Sequence, residues 1–240
     1  MYKLPFTEVN DLWNTELRVL PHHIYKLPYF TNEIKSLLVT TKMDKITNTS
    51  NQNLNRAYRI IDELRIYETW ENLNSTCNLV GSVKTGLLMN HLDIDFHTYS
   101  KKFSIEKSFK AIAEISKNPK IKEVIYKNLL DKEDMCLEWH LLYEENPERI
   151  WTIDIIHIKN ESPYAGMIER VTDKISAVLS EPLKKKILNI KWESEQGTEK
   201  IPGIEIYQAV IDDGVETFEA FEIWRKNRQH AEISLWEPTL

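Results

Sequence analysis

The chain has 240 residues, 42% hydrophobic and 28% charged, the balance of a folded soluble protein and not of a disordered one. A formal charge of −6 and a pI near 5.7 argue against extensive nucleic-acid binding, while a local basic groove is compatible with both. No apolar run approaches a membrane span or a signal-peptide core, and Cys77 and Cys136 form neither a disulfide framework nor a zinc spacing, so a reducing, cytoplasmic setting is expected.

Taken in order, residues 7–19 read as a short helix capped by Thr7 and stopped before Pro21. His22-His23 follow in a turn; without a Cys, Asp or Glu at ligand spacing they read as an exposed pair and not as a metal site. A second helix is expected over 31–42 and a loop over the polar run 47–53. The spacing of Leu54, Ala57, Ile60, Ile61 and Leu64 then predicts a helix over 54–72.

A strand over 77–80 leads into Gly81-Ser82. Gly81 allows a ligand to approach the backbone closely, and Ser82 opens a short helical turn whose N–H groups favour phosphate. Lys84 adds charge suited to phosphate, though a solvated turn lysine reads as well. The next strand, 91–99, carries Asp93 and Asp95 on one face with His97 beyond them, and Leu92, Ile94 and Phe96 on the other. Two acids about 7 Å apart on one strand face repel each other unless a cation lies between them. Mg²⁺, or Mn²⁺ in its place, suits such oxygen ligands and shares its other positions with phosphates.

Residues 103–116 read as a helix with Ile105, Phe109, Ile112 and Ile115 inward. Strands follow at 120–129, 135–144 and 149–158, the last two joined by a turn. Glu138 and His140 share the strand face opposite Trp139 and Leu141, as a solvent-facing pair or as contacts to an acceptor. Asp154 is the one acid in the apolar run 150–158. A carboxylate there requires a cation or a hydrogen-bond partner. Beyond 160 the pattern is helical: 163–180 opened by Ser162-Pro163, 181–191 opened by Ser180-Glu181-Pro182, a loop over 192–202, then 203–213 and 215–228. Lys184-Lys185-Lys186 read as a solvated face or as a phosphate or acceptor contact.

Gly81-Ser82, then Asp93-Ile94-Asp95, then Asp154 between apolar residues resemble the signature of the nucleotidyltransferase superfamily that includes DNA polymerase beta and kanamycin nucleotidyltransferase. The resemblance covers roughly residues 55–158 and departs at Val83-Lys84, where many relatives have an Arg or a second Gly. It implies that Gly81 and Ser82, with Lys84 a further candidate, hold the triphosphate of an NTP, ATP being the expected donor. It implies too that Asp93 and Asp95 bind the metal gripping that triphosphate. With Asp154 they would hold a second metal at the attacking hydroxyl, which Asp154 helps to deprotonate. The chemistry so implied is transfer of a nucleoside monophosphate with release of pyrophosphate.

The expected architecture is α/β (α+β): a small mixed sheet backed by helices and a C-terminal helical subdomain. Its parts would be an N-terminal helical arm over 1–53, the nucleotidyltransferase core over 54–160 and the helical subdomain over 161–240. Length and acidic surface favour a small-molecule acceptor, such as an antibiotic hydroxyl. The alternatives are an RNA or protein acceptor, gripped by a basic stripe drawn from 184–186 and 225–228, or a non-catalytic nucleotide-binding module. Retention of three acids speaks against the last.

Overall fold

The computed structural model describes residues 32–228 and 236–238, with side chains from residue 39 onward; the expected helix at 7–19 and His22-His23 lie outside them. The chain forms two compact units, 1–44 and 45–240. Of the first, the described residues are helical and open α1 (Asn32–Glu63). The second carries the sheet. Among the described residues no helix is long and apolar enough to cross a membrane.

α1 runs straight through the polar stretch 47–53 that reads as a loop. Its buried positions Ile46, Ser50, Asn53, Ala57 and Ile60 recur at helical spacing, so tertiary packing overrides the weak propensity of Asn, Thr and Ser. Asn53 explains why a polar residue suits the buried face. Its Nδ2 donates to the carbonyl of Met89 at 2.8 Å, and its Oδ1 accepts from Arg149 Nη1 at 3.0 Å.

α1 ends at Glu63, and the left-handed backbone of Arg65 turns the chain into α2 (Ile66–Glu71). There follow β1 (Ser75–Val80), α3 (Gly81–Thr85), β2 (Asp93–Ser100), α4 (Ile105–Ile115), β3 (Ile121–Leu129), β4 (Cys136–Asn146) and β5 (Arg149–Ile158). The strands form one mixed sheet in the order β1-β2-β5-β4-β3. β2 and β5 are parallel, whereas the β1–β2, β4–β5 and β3–β4 pairs are antiparallel. One face is the core: Ile94 and Phe96, Trp139 and Leu141, Trp151 and Ile153 pack with residues of α1, α2 and α4. α4 turns Ala111, Ile112 and Ile115 inward as its period predicts, but Ile105 and Phe109 are half exposed. Phe109 instead stacks edge-on against Trp139, with centroids 4.7 Å apart.

The C-terminal part is helical: α5 (Met167–Val178), α6 (Glu181–Ser194), α7 (Gly203–Ile211) and α8 (Phe218–Asn227). α5 starts later than Ser162-Pro163 suggests. Ser162 is committed elsewhere, its hydroxyl donating to the carbonyl of Asp134 at 2.8 Å, and Gly166, at φ 72°, makes the turn into the helix. Ser180 caps α6 as expected, accepting from Leu183 N. α6 runs three residues past 191, where Ser194 extends its buried face. Thr217 caps α8, accepting from Ala220 N, so that helix starts after 215.

His157 lies on the core side of β5 and is fully buried. Its ring stacks on Phe103 with centroids 4.4 Å apart, and Nε2 lies 2.9 Å from Ser100 Oγ, which shares a 2.6 Å hydrogen bond with Ser75 Oγ. Burial pushes its pKa down to about 4. A histidine with a depressed folded pKa loses stability across the range where only the unfolded chain takes up the proton. Stability is therefore full above the unfolded value of about 6.5 and falls as pH drops from there to about 4.

Two outcomes follow. Asn53→Ala should lower unfolding free energy by about 1–3 kcal/mol in denaturant melts, because a buried carbonyl loses its donor. Gln52→Ala on the exposed side of the same turn should stay within about 0.5 kcal/mol; equal effects would deny that 47–53 is helical. His157→Gln should flatten the stability–pH slope between pH 6.5 and 4 by up to about 1 kcal/mol per unit, and parallel curves over that window would show that no buried neutral histidine titrates there.

Candidate active site

Alternation along β2 turns Asp93, Asp95 and His97 away from the core, and alternation along β5 does the same for Thr152, Asp154 and Ile156. The parallel register pairs Asp95 with Asp154 and Asp93 with Thr152. On the other flank Val80, the last residue of β1, pairs with Asp95. The chain then turns sharply at Gly81, φ 69°, into α3. A Cβ on Gly81 would lie 2.5 Å from Asp95 Oδ2, so only glycine lets this corner close on the carboxylate. Thr85 Oγ1 donates back to the Gly81 carbonyl at 3.1 Å and holds the turn.

The electrostatics match this crowding. Burial first, then the charges of Asp154 and Asp93, push the pKa of Asp95 up to about 7, against the pull of Lys191 and Lys200. Burial also raises that of Asp154, opposed chiefly by its hydrogen bond to His140. Asp154 Oδ1 lies 2.7 Å from His140 Nδ1, and Asp93 Oδ2 lies 3.1 Å from His91 Nδ1.

Gly81, Ser82 and the three aspartates line one cleft of about 1250 Å³, whose far wall comes from α5, α6, α7 and the segment between the last two. Lys84 is separate from them: it lines a second cavity of about 520 Å³ with Tyr58, Tyr67 and Glu169. His97 is tied back to Glu169, with Nδ1 3.3 Å from Oε2. Burial alone would raise the pKa of that glutamate, but the His97 contact brings it down to about 2. His140 reaches Asp154 itself, while Glu138 lines the cleft and contacts His140, with its Oε2 3.3 Å from Nε2. Lys186 pairs with Glu216, and Arg225 with Glu199 and Glu205.

Lys191 and Lys200 line the cleft and went unmarked in the sequence. Lys191 had a signal: it interrupts the buried stripe of Ile187, Leu188 and Ile190, a position that a solvated lysine would avoid. Its Nζ donates to the Leu87 carbonyl at 2.7 Å. Lys200 sits in a polar segment and gives no such signal.

The oxygen donors suit a hard divalent cation, and a buried acid beside two like-charged neighbours is a setting that such a cation would relieve. The backbone fits better than the present side-chain orientations do. Among the described residues no group of three His, Cys, Asp or Glu side chains is arranged to hold an ion.

No family model matches the chain, and no curated protein does. Solved structures do. A Cid1 poly(U) polymerase structure with MgGTP bound is 15% identical at a TM-score of 0.55, over 72% of this chain and 55% of that one. A second Cid1 structure, described as an RNA terminal uridylyl transferase, has the same score and identity over 72% and 53%. The noncanonical poly(A) polymerase complex GLD-2–GLD-3 is 12% identical at 0.51, over 82% and 68%. The chain spans about half the length of the Cid1 chains it matches. Identity this low speaks to the fold alone, and on that the sheet order, the Gly81 corner and the solved structures agree: the chain has the fold of the nucleotidyltransferase superfamily.

Proposed function

We propose that the chain is a metal-dependent nucleotidyltransferase that moves a nucleoside monophosphate from a nucleoside triphosphate onto a terminal hydroxyl of RNA. The observation that carries this reading is the register pairing of Asp95 with Asp154 beside the Gly81 corner. In this reading Gly81 and Ser82 cradle the triphosphate with backbone N–H groups. Lys191 and Lys200 add the positive charge that Lys84, in its separate cavity, does not. Asp93, Asp95 and Asp154 would hold Mg²⁺ or Mn²⁺, which when bound lends positive charge to the phosphates and to the developing alkoxide. Asp154, its pKa already raised by burial, takes the hydroxyl proton. The hydroxyl oxygen bonds to the α-phosphorus as the bond from that phosphorus to the bridging oxygen breaks, and pyrophosphate leaves.

RNA is preferred as acceptor on two grounds. The solved structures of like fold are named as polymerases and transferases of RNA ends. The small-molecule expectation, by contrast, rests on net charge, a property of the whole chain and not of the cleft. A chain with formal charge −6 nonetheless has two lysines in its cleft wall.

Asp93→Asn or Asp95→Asn should cut Mg²⁺-dependent transfer of label from NTP by at least ~100-fold, while the melting temperature without metal stays equal or rises, since like-charge repulsion is relieved. Surviving transfer, or unfolding of both variants, would sink the site assignment. Offered pooled RNA, protein and small-molecule acceptors, the wild-type chain should label the RNA; label confined to the small-molecule fraction would return the first expectation. Gly81→Ala should cost about 1–3 kcal/mol and lower transfer by more than that loss explains, because its Cβ displaces Asp95. Undiminished transfer would remove the corner from the site.

A further inference from the structure

Beside the cleft, three side chains on two neighbouring strands lead to Asp154. Lys127 on β3 pairs with Glu138 on β4, Nζ to Oε2, at 2.9 Å. The same Oε2 lies 3.3 Å from Nε2 of His140, also on β4, and Nδ1 of His140 lies 2.7 Å from Oδ1 of Asp154 on β5. The register accounts for the row, since Lys127 is paired with Glu138 and His140 with Asp154. Neither Glu138 nor His140 points into open solvent: their side chains are 23% and 22% exposed. The ring is thus gripped at both nitrogens and has little freedom to rotate. Among the described residues, Oδ2 of Asp154 takes no hydrogen bond.

We infer that His140, braced by Glu138 and Lys127, is a positioning residue for Asp154: it fixes one carboxylate oxygen so that the other is presented to a divalent cation. The inference rests on the proposed metal role of Asp154 and adds to it. The physical reason is that a carboxylate ligand loses rotamer freedom on binding an ion, and a hydrogen bond to its second oxygen removes that freedom beforehand. It also explains why a histidine and a glutamate lie on the open face of a strand whose other face is core. Their role is with the acid on the next strand and not with an acceptor.

The test is titration of the full chain with Mn²⁺ alone, followed by the electron paramagnetic resonance of the free ion. It is run on wild type, Asp95→Asn, His140→Ala, His140→Asn and Glu138→Gln, with a thermal melt of each. His140→Ala should weaken Mn²⁺ binding by roughly 10–100-fold. His140→Asn, whose amide can still donate to Asp154, should recover part of the loss, and Glu138→Gln should show a smaller loss that adds nothing to that of His140→Ala. In RNA-labelling assays the same variants should lose kcat with KM for the NTP little changed, a split that a merely structural contact would not produce. If Asp95→Asn abolishes binding while His140→Ala and Glu138→Gln bind as wild type does or more tightly, the positioning role is wrong and the metal site stands. If Asp95→Asn binds Mn²⁺ unchanged, the metal reading falls, and the positioning role with it. Should His140→Ala fail to fold, His140→Asn and Glu138→Gln carry the same decision.

Discussion

One pairing governs this molecule, the parallel contact of β2 with β5. Everything in the cleft depends on Asp95 and Asp154 lying side by side, and side chains in a strand alternate strictly between faces. A slip of one residue would send Asp154 among Trp139, Trp151 and Phe96, and Ile153 or Ile155 out into the cleft. Burying an unpartnered carboxylate there costs several kcal/mol, and exposing a large aliphatic side chain costs about 1.5–3 more. The apolar face therefore enforces the position of the acids on the polar one. The core and the site are two readings of one register.

The same pairing creates an electrostatic imbalance. Both outer carboxylates have a histidine, Asp93 with His91 and Asp154 with His140. Asp95, between them and pressed against Gly81, has none, and its pKa is the one pushed up to about 7. Lys191 pulls the other way but is committed, its Nζ donating to the Leu87 carbonyl. Positive charge beside the acids is thus held in place by backbone hydrogen bonding and cannot simply collapse onto Asp95. Asp95 therefore sits among like charges with no histidine of its own, and the proposed chemistry turns on that point.

The strands, the face on which the acids lie and the Gly81 corner were legible in sequence because each rests on short-range regularity: alternation for the strands and their acids, and glycine where the backbone turns through positive φ. The continuous α1 was not, because Ser50 and Asn53 look like loop residues until Met89 and Arg149 supply hydrogen bonds to Asn53 from distant parts of the chain. The late start of α5 was hidden for the same reason: Ser162 donates to the distant Asp134 carbonyl and accepts from Tyr164 N in a turn that precedes the helix. Lys84, two places after Ser82 on a short helical turn, lines a different cavity from the acids. The face shared by Glu138 and His140 followed from alternation, but their link to Asp154 did not. That link needs the strand order, which places β4 beside β5 and β5 beside β2.

The far wall of the cleft is joined to this sheet by more than the chain connection at 160. The segment leading into β2 is fastened to α6 at two points. Lys191 holds the Leu87 carbonyl, and Glu195, just past the end of α6, accepts from the backbone N–H of Asn90 at 3.2 Å and from its side chain at 2.8 Å. Tyr207 on α7 takes a second hydrogen bond from Lys191 at 3.4 Å. Asp93 begins three residues after Asn90, so the acids and the helices opposite them share one short, doubly anchored lever. Displacing α6 would move the start of β2, and with it Asp93. The helical part is therefore a determinant of acid geometry as well as a wall, and the lysine inside its apolar stripe is what couples the two.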